Sequence, residues 1–219
     1  MLFKQFKALL IKEIKLEFRN MYALNGVLLY VVSTVFVCYL SFKHIAEPRA
    51  WNSLFWIIML FASIHAISKS FMQDSKGLLL YYYSIASPGA VILSKITYNV
   101  LLMILLSLIC YGCYSLFIGN SVINQELFMS SLILGSIGIS SILSLISAIA
   151  AKANSNFGLM AVLSFPVLMP LILTLIRVSN YAIEGIAFSV VYKYLLVLSL
   201  LDLISLTLAC LLFPYLWKD

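Results

Sequence analysis

Charged residues are so sparse in this chain that they divide it into six apolar stretches, at about 22–42, 52–72, 97–118, 127–151, 157–177 and 187–214. A helix needs ~20 apolar residues to cross a bilayer, and each stretch is long enough. A transmembrane β-barrel would instead show ~10-residue segments alternating apolar and polar, whereas Tyr98 to Ile118 is apolar on all sides. The expected fold class is an all-α polytopic membrane protein of six spans. With 63% hydrophobic and 10% charged residues a soluble monomer is ruled out. The 219 residues read as a single transmembrane domain, 1–219, with no linker and no room for a separate extramembrane domain.

Lysine and arginine set the expected orientation, because cationic segments are retained on the cytoplasmic side. With the N-terminus inside, Lys4, Lys7, Lys12, Lys15, Arg19, Lys69, Lys76, Lys95, Lys152 and Lys218 fall in or near the cytoplasm. Only Lys43, Arg49, Arg177 and Lys193 fall outside. Both termini are therefore expected to be cytoplasmic. The same asymmetry accounts for the net charge of +6 as topology determinants and contacts to anionic lipid, so nucleic acid is not an expected partner.

Residues 1–20 do not read as a signal peptide, since cations and acids run through Lys4 to Arg19 with no small-residue cleavage site. At 100° per residue Lys4, Lys12, Lys15 and Arg19 form one stripe, opposite Leu2, Phe3, Phe6, Leu9, Leu10 and Ile14. This pattern fits an interfacial amphipathic helix or a basic, topology-setting leader. Lys7 falls on the wrong face, and the acids Glu13 and Glu17 border the apolar one.

The connection from Lys69 to Lys95 is the longest on the cytoplasmic side. Asp74 to Gly77 carries turn chemistry, Leu78 to Ile85 is a short amphipathic stretch with Tyr81, Tyr82 and Tyr83, and Ser87-Pro88-Gly89 breaks it before the third span. A short helix lying on the membrane surface over 75–92 is expected. Its tyrosines suit either contact with a cytoplasmic partner or an interfacial aromatic belt.

Within the spans a few residues stand out. Pro166 and Pro170 share a face of span five and predict a kink or break, as in helices that line transport paths, although spans also tolerate prolines for packing. Ser136, Ser140, Ser144 and Ala148 recur every four residues beside Gly135 and Gly138, which suits a close helix-packing seam within or between subunits more than a polar path. Asp202 lies near the middle of span six, where a carboxylate costs ~2.5–3.5 kcal/mol on insertion scales. His65, in span two, or Lys193 are its candidate partners, and a substrate or proton role, structural pairing, or a protonated, hydrogen-bonded acid are the readings open to it. A histidine can ligate heme iron, and Trp51, Phe55 and Trp56 near His44 could flank a porphyrin, but a satisfied core histidine and an interfacial tryptophan belt are the plainer readings. Cys38, Cys110, Cys113 and Cys210 all lie in spans and read as small apolar residues. No catalytic constellation, metal-ligand cluster or G-x-x-x-x-G-K-[ST] is present, so the chain is not expected to be an enzyme, and any ATP must be bound by a partner.

The segment FMQDSKGLLLYYYSIASPGAVILSK, residues 71–95, resembles the cytoplasmic loop of the heme exporter protein B (CcmB) family, with Asp74, Gly77, Leu78 to Leu80, Pro88 and Lys95 matching in order. SFPVLMPLIL, residues 164–173, resembles the family's paired-proline fifth span, and Phe18-Arg19 the end of its basic first helix. Lys76 and the tyrosine triplet depart from the further acids and Leu-Glu-Gln usual there. The resemblance implies a type-2 ABC transporter permease of the bacterial inner membrane, with residues 1–20 as an amphipathic elbow and 75–92 as a coupling helix. It also implies a separate ATPase subunit, other membrane proteins of cytochrome c maturation, a heme chaperone, and a dimer of permeases. Asp74, Gly77, Leu78, Tyr81, Tyr82, Pro88 and Lys95 would couple to the ATPase. Pro166, Pro170, Asp202 and His65 are the candidates for a translocation path. No covalent cofactor is implied, and heme would be cargo. A type-2 permease for a lipid, polysaccharide or drug, and a non-transporting membrane scaffold, are the alternatives.

Overall fold

The computed structural model describes residues 2–19, 21–42, 47–68, 71, 86–153, 157–186 and 188–218, and all regular structure among them is α-helical. In chain order the helices are α1 (Leu2–Arg19), α2 (Met21–Phe42), α3 (Pro48–Ile67), α4 (Pro88–Phe117), α5 (Gln125–Lys152), α6 (Phe157–Glu184) and α7 (Phe188–Lys218). Six of them, α2 to α7, are long and apolar enough to cross a membrane, over Asn25–Phe42, Pro48–Ile67, Pro88–Phe117, Gln125–Lys152, Gly158–Glu184 and Phe188–Leu216. The chain is an all-α, multi-pass membrane protein.

Helix ends follow local chemistry more than charge. Pro88 occupies the first turn of α4, where its missing N–H is not needed, and the extended Ser87 before it accepts from the amides of Ala90 and Val91. The third span therefore starts nine residues earlier than expected from Lys95. The break at Ser87-Pro88-Gly89 is the start of that span, and residues 88–92 of the expected surface helix belong to it. Span two ends at Ile67 rather than 72. Helix α6 runs past Arg177 to Glu184, and its 28 residues reach about 42 Å, which leaves a turn or more outside a ~30 Å hydrocarbon layer. It ends in a six-to-one bond from the Ile186 amide to the Tyr181 carbonyl, closed by Gly185 at a φ of 68°.

Of the kink or break expected in α6, the break is absent: the helix is continuous through Pro166 and Pro170. Two lost bonds are a small part of a ladder this long, and lipid-embedded helices tolerate them.

Helix α5 is the hub, packed on α3, α4, α6 and α7. A Cβ on Gly135 would meet Leu175 and Trp56 at 3.0 Å, and one on Gly138 would meet Leu171 at 2.8 Å and collide with the Asp202 carboxyl. Ser136, Ser140 and Ser144 are buried on the same helix. The small-residue stripe is thus a packing seam inside the subunit, where close backbone approach replaces the hydrophobic drive that lipid cannot supply. Helix α2 touches α3 and α4 through Val27, Val31 and Val35 and leaves its other face bare.

Trp51, Phe55 and Trp56 are fully buried, packed with Tyr114 and Phe128. Trp51 Nε1 donates to the Gly119 carbonyl at 2.9 Å, and Tyr114 donates to the Trp51 carbonyl at 3.1 Å. These rings form a core and are neither an interfacial belt nor an open porphyrin cleft.

Two glycines give opposite predictions. Gly185→Ala must hold a positive φ and bring a Cβ to 3.1 Å from Ile123, so a loss of about 1 kcal/mol is expected. Gly112→Ala adds a Cβ in open space on α4 and is expected to gain about 0.5 kcal/mol or more. Thermal unfolding of both variants in detergent checks the signs.

Candidate functional site

The expected ATPase-coupling residues lead to the lysine-rich end of the bundle. Asp74, Gly77, Leu78, Tyr81 and Tyr82 lie outside the described residues. Pro88 and Lys95 sit on the first turns of α4, against α1. Gln5 Oε1 accepts from the Ser87 hydroxyl at 3.1 Å and from its amide at 3.4 Å. Two turns further along α1, Glu13 Oε1 meets Lys95 Nζ at 3.4 Å and Lys12 Nζ at 2.8 Å. Lys95 is only 2% exposed, and its ammonium sits 4.6 Å from the centre of the Phe71 ring. Ion pairing together with the ring face lets a lysine lie deep in a span.

Spacing along α1 explains the arrangement. Gln5, Leu9, Glu13 and Glu17 recur every four residues and so share the face turned to α4. Leu9 joins a small apolar cluster of Phe71, Val91, Ile92, Ala148 and Phe213, and both acids lie beside Tyr98. The acids that look like defects in an interfacial helix are its docking contacts. Gln5, Glu13 and Phe71 were missed from sequence. The signal that could have found Glu13 is an acid on the apolar side of a basic helix together with a lone lysine inside the third span. At the same end Lys152 Nζ donates to the Leu216 carbonyl at 2.7 Å, tying α5 to the last turns of α7.

The four translocation-path candidates do not converge. Pro166 and Pro170 are exposed on the outer face of α6. His65 is half-buried near α2, its ring 6.0 Å from that of Tyr30. Asp202 is 5% exposed in α7, its carboxyl set against the bare Cα of Gly138 and the Leu171 methyls. Among the described residues neither carboxyl oxygen has a hydrogen-bond partner. The expected pairing with His65 or Lys193 is not formed, because α3 and α7 are not packed neighbours and Lys193 is on another face of α7.

Polar contacts that sequence did not single out join the helices elsewhere. Near the ends of α3 and α6 remote from the lysines, Asn52 Nδ2 donates to Asn180 Oδ1 at 2.8 Å and to the Ile176 carbonyl at 2.9 Å. Trp56 Nε1 donates to Ser179 at 2.8 Å. Between α4 and α5, Asn99 Nδ2 donates to Ser144 at 2.7 Å. All four cysteines are free thiols. No group of three metal-ligating side chains occurs among the described residues. The arrangement is that of a bundle with bonded ends and one unbonded acid in its middle.

The docking of α1 on α4 makes a prediction. Glu13→Ala leaves Lys95 buried without that carboxylate and is expected to cost about 3–5 kcal/mol. Adding Lys95→Met to the same chain removes both charges and is expected to recover most of the loss. Denaturant unfolding of the singles and the double in detergent measures this coupling.

Comparison with known proteins adds one positive finding. The family described as CcmB protein matches residues 4–215, nearly the whole chain. No curated protein matches the chain.

Proposed function

Since the chain belongs to the heme exporter protein B (CcmB) family, a membrane component of the heme exporter for cytochrome c maturation, we propose that it is the permease subunit through which a separate ATPase drives that process. Family membership over residues 4–215 is the observation that carries this reading. Supporting it, six spans occupy nearly all of the chain and no P-loop occurs in its sequence, so ATP is bound by the partner alone. The complex holds a dimer of permeases in the bacterial inner membrane, both termini cytoplasmic, with other cytochrome c maturation proteins and a heme chaperone beside it. ATP turnover serves either heme export or release of the heme-loaded chaperone. Heme is cargo, held by no covalent bond.

The chain's contribution is mechanical. Asp74, Gly77, Leu78, Tyr81 and Tyr82 present the contact to the ATPase, and the segment that carries them runs into Ser87 and Pro88. Closure of the ATPase around ATP pushes on that segment, and the push enters α4 at its first turn. Because Gln5 and Glu13 hold α1 to Ser87 and Lys95, the elbow moves with α4. Asn99 passes the displacement to α5 through Ser144.

Co-purification in mild detergent, with mass spectrometry of partners and a visible absorption spectrum, tests the assignment. An ATPase accompanied by heme-handling proteins is the expected result. An ATPase without them transfers the cargo to another class, and full cytochrome c yield with a catalytically dead ATPase identifies a scaffold. A Gly77→Val, Pro88→Ala double variant is expected to assemble and yet lose ATPase stimulation and cytochrome c yield. Unchanged values of both would remove residues 75–92 from the coupling route.

A further inference from the structure

Asp202 is the one acid in the described spans whose carboxyl is closed off from both water and partners. It stands near the middle of the 31-residue α7, and both its oxygens are buried with no hydrogen-bond partner. The wall in front of it is specific. Gly138 is the α5 residue whose missing side chain leaves room for the carboxyl, and the methyls of Leu171 on α6 close the other side. Gly138 is 13 residues from one end of α5 and 14 from the other, so about 20 Å of helix separates this contact from either end.

We propose that Asp202 is a proton-binding site whose occupancy is linked to the packing of α7 on α5. The physical argument is desolvation. An ionised carboxylate without a partner costs far more to bury than a neutral acid, and lipid around the bundle makes the site drier still. The packed bundle therefore admits the acid form. The carboxylate requires water or a cation, and either can reach it only when α7 parts from Gly138. The step is the loss or gain of one proton between a carboxyl oxygen and water, with no other bond changed. Closing α5 on α7 takes the proton up, and opening releases it.

No other titrating group takes this role. Among the described residues α5 carries Glu126 and Lys152 at its two ends, α6 carries Arg177, Tyr181 and Glu184 towards one end, and α4 carries Lys95, Tyr98, Cys110, Tyr111, Cys113 and Tyr114. On α7 itself Tyr192, Lys193, Tyr194, Cys210 and Tyr215 lie at least eight residues away. None of them bonds to Asp202. The proton site is a property of this chain and does not depend on the cargo, whereas its link to packing is read out through the ATPase and rests on the permease reading.

The chain has three aspartates, Asp74, Asp202 and Asp219, so carboxyl-labelled aspartate makes the site spectroscopically visible in the full-length protein. Infrared spectra of the labelled chain in lipid bilayers at neutral pH are expected to show one carboxylic-acid carbonyl band that shifts with the label and is lost in Asp202→Asn. Aspartate signal in carboxylate bands alone would overturn the proton site. In the co-purified complex, the isosteric Asp202→Asn keeps the packed state, cannot exchange the proton, and is expected to assemble and lose ATPase stimulation. Wild-type stimulation in that variant would overturn the link to packing. Should that variant fail to assemble, the labelled wild-type chain decides alone. Its acid band must disappear when the complex is trapped with a non-hydrolysable ATP analogue or in the nucleotide-free state, and a band equal in both would overturn the link.

Discussion

Helices in lipid gain little by hiding apolar surface from one another, because the acyl chains outside are as apolar as leucine. What holds this bundle is how closely α5 is approached, and that closeness rests on Gly135 and Gly138. The Trp56 ring and Leu175 lie where a side chain on Gly135 would stand, and Leu171 and Asp202 lie where one on Gly138 would. Three neighbours on α3, α6 and α7 therefore seat against less than two turns of one helix. The remaining elements hang on this nucleus indirectly, with α1 reaching it through α4 and α2 through α3 and α4.

Polar side chains in the spans are placed to suit that arrangement. Ser131, Ser136 and Ser141 return their hydroxyls to carbonyls of their own helix, so each buries without needing a neighbour. Asn52, Trp56 and Asn99 instead bond across to another helix, and each such bond fixes both register and rotation. Bonds of this kind join α3 to α6 at one end and α4 to α5 towards the other. Between them, where α7 meets Gly138 of α5, the Asp202 carboxyl is bonded to nothing described. A bundle fixed at its ends and merely packed at its centre can change at the centre without dismantling its ends.

Much of this was legible from residue patterns. Six spans followed from the spacing of charges, and the serine and glycine stripe of α5 announced a seam. What misled was the use of each charge as a boundary. Lys95 lies inside a span because Glu13, 82 residues earlier, supplies a carboxylate, and nothing local to Lys95 announces that. Arg177 lies within a helix that outruns the bilayer. Asp202 was conspicuous by its cost, yet the neighbour that admits it, Gly138, is identified only by what its missing Cβ would strike. The prolines of α6 show the converse, since a local rule allowed a kink or a break and the helix runs unbroken through both. Sequence reports what each residue wants, and tertiary contacts decide who satisfies it.

Helix α1 then takes on a different mechanical character. A basic amphipathic helix floating on lipid would yield to any displacement of α4, because nothing but interfacial burial resists it. Here α1 is fastened at two points about two turns apart, Gln5 to Ser87 and Glu13 to Lys95, with Leu9 packed between them. Two fastenings fix direction as well as distance, so α1 cannot swivel on α4. The first turns of α4 and the whole of α1 move as one body, and that body carries the cationic stripe of Lys4, Lys15 and Arg19 on its outer side. Any displacement of the entry to α4 must therefore carry those charged groups with it.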